Sequence, residues 1–276
     1  SSSSRVRLLK GVHAAKDQSY FLCMTRPQHL QRVLFPVGHL HKPEVRRLAK
    51  DSGLHTAGKK ESMGLCFVGK RDFSRSFLQD YLKMQPGPIV DLAGKQLGAH
   101  TALWRFTIGQ RARLSGSPQA LYVVSKDAST NTIVVAPGHD HPALYADHFY
   151  AEAPSWLAGV SFPLRCRFVT RYHGREGTCT VHQVHASDLS SIAGIGTGAT
   201  PSASSESGVW LRIDSSDPHR SPVPGQVVCF YDLEGQQCLG GAIIAHSGPS
   251  LWHQGRGVPA ECMELPRLRQ HSLVSV

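Results

Sequence analysis

The spacing of apolar and polar residues changes character along the chain. In its first quarter, short apolar runs at residues 6–9 and 33–37 predict strands, the second of them buried. Pro43 begins a predicted helix that continues to about Asp51, with Gly53 as its stop. Strands and a helix within one short stretch favour the closing part of an α/β domain over residues 1–70.

From residue 71 the pattern becomes that of a β protein. Asp72 is a good N-cap for a predicted helix with Phe73, Phe77 and Tyr81 at helical spacing. Short apolar runs between turn residues follow, and they predict a small β-rich domain over residues 71–140. The runs that predict its strands are residues 89–92, 121–124 and 133–135.

A second β unit is predicted over residues 145–246. Residues 164–172 alternate strictly, which places Arg165, Arg167 and Arg171 on one strand face. That face is a candidate RNA contact or an ordinary exposed sheet face. We expect an antiparallel barrel of five or six strands, a disordered Ser/Gly-rich insert at residues 187–208, and a disordered tail from residue 247 to 276.

Charge is distributed unevenly along the chain, whose net charge is +10. Residues 1–70 carry 13 Lys and Arg against 4 Asp and Glu, whereas residues 71–276 carry 17 against 16. A basic patch attracts phosphate backbones, although a solvated basic face would show the same excess. No apolar run approaches the roughly 20 residues that cross a bilayer.

Seven cysteines without CxxC spacing argue against a disulfide framework and a zinc ribbon, and favour a reducing compartment. The densest histidine cluster, GHDHP at residues 138–142, lacks a third ligand at a recognisable spacing, so we interpret it as a turn. Cys66 differs from the other cysteines. It lies in the run KKESMGLCFVGKR at residues 59–71, where basic pairs favour the reactive thiolate. The alternative for a lone cysteine is a buried structural thiol.

Several motifs together resemble one family. KDQSYF at residues 16–21, FPVG at residues 35–38 and ESMGLCFVG at residues 61–69 are similar to motifs of the tRNA-specific 2-thiouridylases. The ordered set extends this resemblance to about residue 245, and the variant around Cys66 is closest to the mitochondrial, animal-type branch. Its further members are TIGQR at 107–111, YVV at 122–124, TRY at 170–172, PGQ at 224–226 and CLGG at 238–241.

The resemblance implies a fold and a reaction. It implies the remnant of an adenine-nucleotide α-hydrolase-like (PP-loop) domain followed by two small β-rich domains, the last an antiparallel β-barrel. In this family ATP activates C2 of the wobble uridine, and a cysteine persulfide, loaded by an external sulfur-relay donor protein, replaces the oxygen with sulfur. By motif position Cys66 carries the persulfide. The implied partners are tRNAs of the Lys, Glu and Gln type, and the implied location is mitochondrial, with a cytoplasmic alternative.

Motif positions also imply tRNA contacts. Lys16, Asp17 and Gln18 match one contact, because an amide can read an extruded pyrimidine and a lysine can hold a phosphate. A second contact matches Arg171 and Tyr172, suited to phosphate and stacking. The third contact matches Gln226. The alternatives to a tRNA contact are purely structural: a hydrogen bond at a strand end for Gln18 and a position at the barrel rim for Tyr172.

The sequence departs from the family pattern in one respect. The family's Ser-Gly-Gly-x-Asp-Ser pyrophosphate loop, which binds ATP, and its partner cysteine have no counterpart here. Cys23 follows the Lys-Asp-Gln triplet, so it does not match that partner. We therefore expect an N-terminally truncated enzyme that cannot adenylate its substrate alone. The alternatives are a non-catalytic tRNA-binding module and, with no histidine motif to pair with Cys66, an unrelated cysteine hydrolase.

Overall fold

The computed structural model describes residues 6–59, 77–185 and 209–263. These residues form three α-helices, α1 (Ser19–Leu22), α2 (Pro27–Leu30) and α3 (Lys42–Asp51). The strands are β1 (Leu8–Leu9), β2 (Gly87–Val90), β3 (Gln96–His100), β4 (Arg111–Ala112), β5 (Leu121–Asp127), β6 (Thr132–Pro137), β7 (Tyr145–Trp156), β8 (Leu164–Val169), β9 (Gly177–His185), β10 (Val209–Arg220), β11 (Val227–Tyr231) and β12 (Gln237–Ser247).

The last six strands close into an antiparallel barrel in the order β12-β11-β8-β9-β10-β7, and β7 pairs back with β12. Alternation produces this arrangement, since Cys166 and Phe168 of β8 point into the core while the residues between them face outward. Closure leaves the six strands without a free edge. The predicted antiparallel barrel is confirmed, with six strands.

The five strands β2 to β6 form a curled sheet in the order β3-β2-β6-β5-β4. Only the β2–β6 pair among them is parallel. Ile89, Val123, Ile133 and Val135 are fully buried between this sheet and the turns around it. The strands β2, β5 and β6 lie where the apolar runs of the sequence predict them.

The first part of the chain rests on the barrel. β1 pairs with the beginning of β12, with Leu8 opposite Cys238. Leu8, Cys23 and Leu30 are buried against the barrel residues Cys229 and Tyr231. Residues 6–30 are therefore held by the barrel's outer wall rather than by a sheet of their own.

The buried strand predicted at residues 33–37 is wrong. These residues form turns, in which the Gly38 amide donates to the carbonyl of Phe35, and Leu34 is 89% exposed. Pro36 explains part of the difference, because it has no amide hydrogen to offer a strand partner. The apolar run instead forms one wall of a cleft of about 790 Å³, which the Lys16–Ser19 segment borders on the other side.

The loose tail predicted from residue 247 is also wrong as far as residue 263. Leu251 is fully buried beside Leu144 and Tyr145, and its amide donates to the Tyr145 carbonyl. The Arg256 guanidinium donates to the Asp147 carboxylate at 2.6 Å. Isolated apolar residues of this segment thus pack into the junction between the two β units. Single buried residues of this kind produce no periodic pattern in the sequence.

Several expectations fall on residues outside the described ranges. They are Cys66 and its loop, the first part of the helix predicted from Asp72, the insert at 187–208 and the last residues of the tail. The described end of that helix, Leu78–Asp80, is a short 3-10 turn. Within the described residues, no helix combines the length and the apolar character needed to cross a bilayer.

Candidate nucleic-acid interface

The Lys16–Gln18 loop lies between a 3-10 turn, Ala14–Lys16, and helix α1. The Asp17 carboxylate accepts hydrogen bonds from the Gly11 amide at 2.8 Å, the Ser19 amide at 3.3 Å and the Ser19 hydroxyl at 2.7 Å. These bonds fix the loop, while the side chains of Lys16 and Gln18 stay exposed. Asp17 thus holds the shape of the loop, and its two neighbours face solvent.

Tyr20 links this loop to two other parts of the chain. Its hydroxyl oxygen lies 3.0 Å from the Val227 carbonyl oxygen and 3.3 Å from the Thr170 carbonyl oxygen, and its one hydrogen is shared between these two acceptors. Burial, and then the nearby Cys23 and Cys229 thiols, raise the pKa of Tyr20 to about 12, so the hydroxyl remains a donor at neutral pH. Since Thr170 precedes Arg171 and Val227 follows Gln226, one hydroxyl gathers all three segments predicted to contact tRNA.

The Arg171–Tyr172 pair lies in a tight turn after β8. The Gly174 amide donates to the Arg171 carbonyl at 2.9 Å, and a Cβ on Gly174 would come within 2.7 Å of the Arg171 side chain. His173 has a φ of 56°, a left-handed conformation that non-glycine residues seldom adopt. The turn therefore holds Tyr172 and His173 in one fixed arrangement.

A histidine beneath this turn supports it. Nε2 of His219 and the Thr170 hydroxyl share a hydrogen bond of 2.7 Å. Burial first, and then the positive charges of Arg171 and Arg175, lower the pKa of His219 to about 4. The ring is therefore neutral at physiological pH, and it packs against Phe149 and Phe168.

Gln226 occupies the end of a turn before β11. Its amide donates to the Val223 carbonyl at 3.2 Å, and its own carbonyl accepts from the Ile244 amide at 2.8 Å. The backbone of Gln226 is thus fully used, and its side chain is half-buried. Gly225 makes the turn possible, with a φ of 85°.

A second set of contacts anchors the loop to the barrel. The Lys10 ammonium donates to the Glu176 carboxylate at 2.6 Å and lies 4.0 Å from the centre of the Tyr231 ring. The hydroxyls of Ser19 and Tyr231 share a hydrogen bond of 3.0 Å. Burial raises the pKa of Glu176, but hydrogen bonds from Lys10 and Arg167 outweigh it and leave the pKa below its ordinary value.

The arginine face of β8 is less uniform than the alternation predicts. Arg167 donates to Glu176 at 3.0 Å and to the Leu233 carbonyl at 2.6 Å, so it serves the barrel. Arg165 is exposed and Arg171 is half-buried. Of the three arginines on this face, Arg165 and Arg171 therefore remain candidates for an RNA contact.

Sequence reasoning assigned no role to Tyr20 or Phe21, although both belong to the KDQSYF motif. The exposed Phe21 ring lies 4.6 Å from the Tyr172 ring, centre to centre. The signal in the sequence was a pair of aromatic residues shortly after the polar triplet. Neighbouring residues on a helix point in different directions, so the sequence did not show that both rings would contact Tyr172.

The histidine and cysteine clusters have structural roles in the described residues. The Asp140 carboxylate lies 2.9 Å from His139 and accepts from the Tyr145 hydroxyl at 2.7 Å. No group of three or more His, Cys, Asp or Glu side chains in these ranges is placed to hold a metal ion. The six cysteines that the structure describes are free and buried.

An ATP site would need backbone amides free at a helix N-terminus. In the described part of the chain, α3 is the one α-helix longer than four residues. Its first turn carries Glu44, whose carboxylate accepts from the His41 amide at 2.7 Å. A carboxylate already occupies this end, so the N-terminus of α3 does not fit the phosphates of a nucleoside triphosphate.

In comparisons with known proteins, two families match the chain. The family described as the tRNA methyl transferase HUP domain matches residues 1–70. The family described as the tRNA methyl transferase PRC-barrel domain matches residues 75–137. The class defined by these matches and by the structure joins a HUP, PP-loop-like domain to a curled PRC-barrel sheet and a closed antiparallel barrel.

Curated relatives narrow the class. The chain is 39% identical to the tRNA-specific 2-thiouridylase MnmA of Protochlamydia amoebophila over 256 residues, which cover 91% of this chain and 61% of the relative. It is 41% identical to the protein of the same name from Yersinia pestis (strain Pestoides F) over 251 residues, 88% of this chain and 61% of the relative. These matches support membership of the tRNA-specific 2-thiouridylase family. The chain spans about three-fifths of the length of the relatives it matches.

Proposed function

We propose that this chain carries the tRNA-contacting surface and the sulfur-bearing cysteine of a tRNA-uridine 2-sulfurtransferase. The observation that supports it most is the Tyr20 hydroxyl, which joins the three segments matched to tRNA contacts. Lys16 and Arg171 supply positive charge for phosphates, and Gln18 and Gln226 supply amides for a base edge. Such a surface suits a loop whose bases are splayed out of their stack.

Cys66 is the proposed persulfide carrier. Its terminal sulfur would form the bond to C2 of the wobble uridine, and the C2 oxygen would leave bound to AMP, since ATP activates it in this family. A second thiol would cleave the persulfide S–S bond and be oxidised with the Cys66 sulfur to a disulfide. The proposal rests on the basic sequence context of Cys66 and on the burial of the other thiols. All six described cysteines are at most 2% exposed, and burial raises the pKa of Cys229 and of Cys262.

The thiolation test uses the protein as it occurs in the cell. Cys66→Ser should abolish 2-thiouridine in tRNA, measured by mass spectrometry of digested tRNA, because serine cannot carry a persulfide. Cys262→Ser changes a buried thiol of the tail segment and should leave the modification in place. Wild-type levels of 2-thiouridine in the Cys66→Ser protein would contradict the assigned role.

A labelling test addresses the thiol itself. Brief alkylation of the native chain with iodoacetamide, followed by peptide mass spectrometry, should modify Cys66 before any of the six described cysteines. The reason is that a buried thiol reaches the reagent only when the fold opens locally. Earlier modification of Cys23 or Cys229 would contradict the proposed reactivity of Cys66.

A second candidate function is a non-catalytic tRNA-binding module, favoured by the N-terminus of α3, which does not fit the phosphates of a nucleoside triphosphate. It predicts salt-dependent tRNA affinity without any thiolation in the full natural protein. The sulfur-relay donor, the tRNA types and the mitochondrial location are further proposals from the family branch. The relatives compared above are bacterial, so the location stays a prediction.

A further inference from the structure

We propose that Phe21, Tyr172 and His173 form a stacking platform for one unpaired nucleobase of the RNA. This inference rests on the proposed function and deepens it, by naming the part of the RNA that this surface takes. Phe21 and His173 lie outside the residues matched to family contacts. We call the three rings the aromatic platform.

The rings of the aromatic platform pack on one another, with Tyr172 in contact with both other rings and with Phe21 and His173 exposed. The Tyr172 ring lies 3.8 Å from the His173 ring, centre to centre, with an angle of 25° between their planes. The Phe21 ring also packs against the Tyr172 ring, with 4.6 Å between ring centres and 45° between ring planes. Phe21 is 59% exposed although it is an apolar residue next to a buried joint. This exposure leaves part of the Phe21 ring accessible to a base.

The backbone beneath the aromatic platform is fixed in advance. His173 keeps its left-handed φ of 56°, and the turn is closed by the Gly174 amide on the Arg171 carbonyl. Conformations of this kind cost free energy and persist where the surrounding structure imposes them, often at binding sites. Because the rings are ordered before binding, stacking of a base costs little additional side-chain entropy.

Charge complementarity favours a nucleobase over an apolar peptide as the occupant. Lys16 is exposed in the loop that precedes α1, Arg171 directly precedes Tyr172, and Arg175 is exposed two residues after His173. A nucleotide presents a flat ring and an anionic phosphate within one residue, and this surface offers rings among cations. An apolar peptide has no anionic group to complement these positive charges.

The test measures binding of the 276-residue chain to an anticodon stem-loop RNA that carries 2-aminopurine at one loop position at a time. Stacking on a ring quenches this base, so wild-type protein should change its emission at one position. Phe21→Leu keeps an apolar side chain but removes the π face. It should abolish that change and weaken binding by about 5- to 100-fold, the range of base–aromatic stacking.

The variant should not alter the salt dependence of binding, since phosphate contacts remain. Phe21→Trp should restore both affinity and quenching. The control Tyr81→Leu removes a ring that is 72% exposed on another part of the chain, and it should have no effect. Far-UV circular dichroism of each variant checks the fold.

Two outcomes separate this inference from the proposed function. Unchanged affinity and emission in Phe21→Leu, with salt-dependent binding of the stem-loop intact, would overturn the aromatic platform alone. Equal weakening on a loop-free duplex RNA would also overturn it, because a duplex has no unpaired base to offer. Absence of any binding by the wild-type chain would overturn the proposed function as well.

Discussion

The barrel and the segment before it treat their apolar residues in opposite ways. In the barrel, Phe168, Phe230 and Ile213 are completely buried in a core that the strands close on all sides. In the segment of residues 6–59, burial stops at Leu30, and Leu34 and Phe35 are exposed. The barrel therefore contains the partners of its own core, whereas the first segment depends on a surface outside itself.

The difference shows how the candidate interface is built. The barrel supplies a rigid wall, and residues 6–30 are attached to it by β1, by the Lys10–Glu176 ion pair and by the Tyr20 hydroxyl. The candidate interface lies at this joint. The barrel fixes the positions of its side chains, and the exposed groups come from both regions.

The largest expected effect lies in the barrel core. Phe230→Ala should lower the free energy of unfolding by about 3–5 kcal/mol, because it removes a buried ring and leaves a cavity. The matched change in the first segment, Leu34→Ala, should alter it by less than about 0.5 kcal/mol. Urea denaturation of both variants measures the contrast. A similar loss in both would show that the two regions do not differ as described.

A smaller effect concerns pH at the rim of the barrel. His219 has a pKa of about 4 in the fold against 6.5 when unperturbed, so the unfolded chain binds a proton first as the pH falls. Stability from His219 is complete above about pH 6.5 and is lost towards pH 4, in total on the order of 2 kcal/mol after allowance for partial solvent contact.

His219→Gln keeps a hydrogen-bonding group near Thr170 but cannot titrate. Urea midpoints measured between about pH 4 and 6.5 should therefore depend less on pH in this variant than in the wild type. An identical pH slope in His219→Gln would exclude this role.

The smallest effect lies at the joint itself. Glu176→Gln removes the charge that pairs with Lys10 and Arg167, at a cost of about 1 kcal/mol. Hydrogen exchange should speed up at β1 and at the Lys10 amide, which donates to the Gln236 carbonyl. Exchange in β8 should stay as slow as before. Equal acceleration in both regions would show that the ion pair supports the whole fold and not the joint.

The same joint should respond to acid. The folded pKa of Glu176 lies below its ordinary value of 4.5. Its contribution is therefore present above about pH 4.5 and is lost as the pH falls through the lower folded value. Hydrogen exchange of β1 at decreasing pH, compared between wild type and Glu176→Gln, checks the sign. The difference between the two proteins should shrink in acid.

The sequence predicted the barrel well because its strands alternate. In β8 the inward positions of Cys166 and Phe168 follow from a period of two residues. The same reasoning failed at residues 33–37. An apolar run predicts burial, but these residues become buried only if another part of the protein packs over them. The composition of the run does not show whether such a part is present.

The candidate interface was predicted by motif and explained by structure. Lys16, Arg171 and Gln226 lie far apart in sequence, so spacing alone could not bring them together. The link is a tyrosine hydroxyl whose one hydrogen is shared between two backbone carbonyls, and backbone acceptors leave no trace in a residue pattern. The tail residue Leu251 was missed for a related reason, since a single buried side chain has no periodicity.

Photo-crosslinking tests the central claim, the convergence of three segments on one RNA, most directly. An anticodon stem-loop RNA carrying 4-thiouridine at the wobble position is irradiated with the wild-type chain, and crosslinked peptides are identified by mass spectrometry. We expect crosslinks in peptides that contain Gln18, Tyr172 or Gln226. Crosslinks confined to the sheet of β2 to β6 would contradict the account.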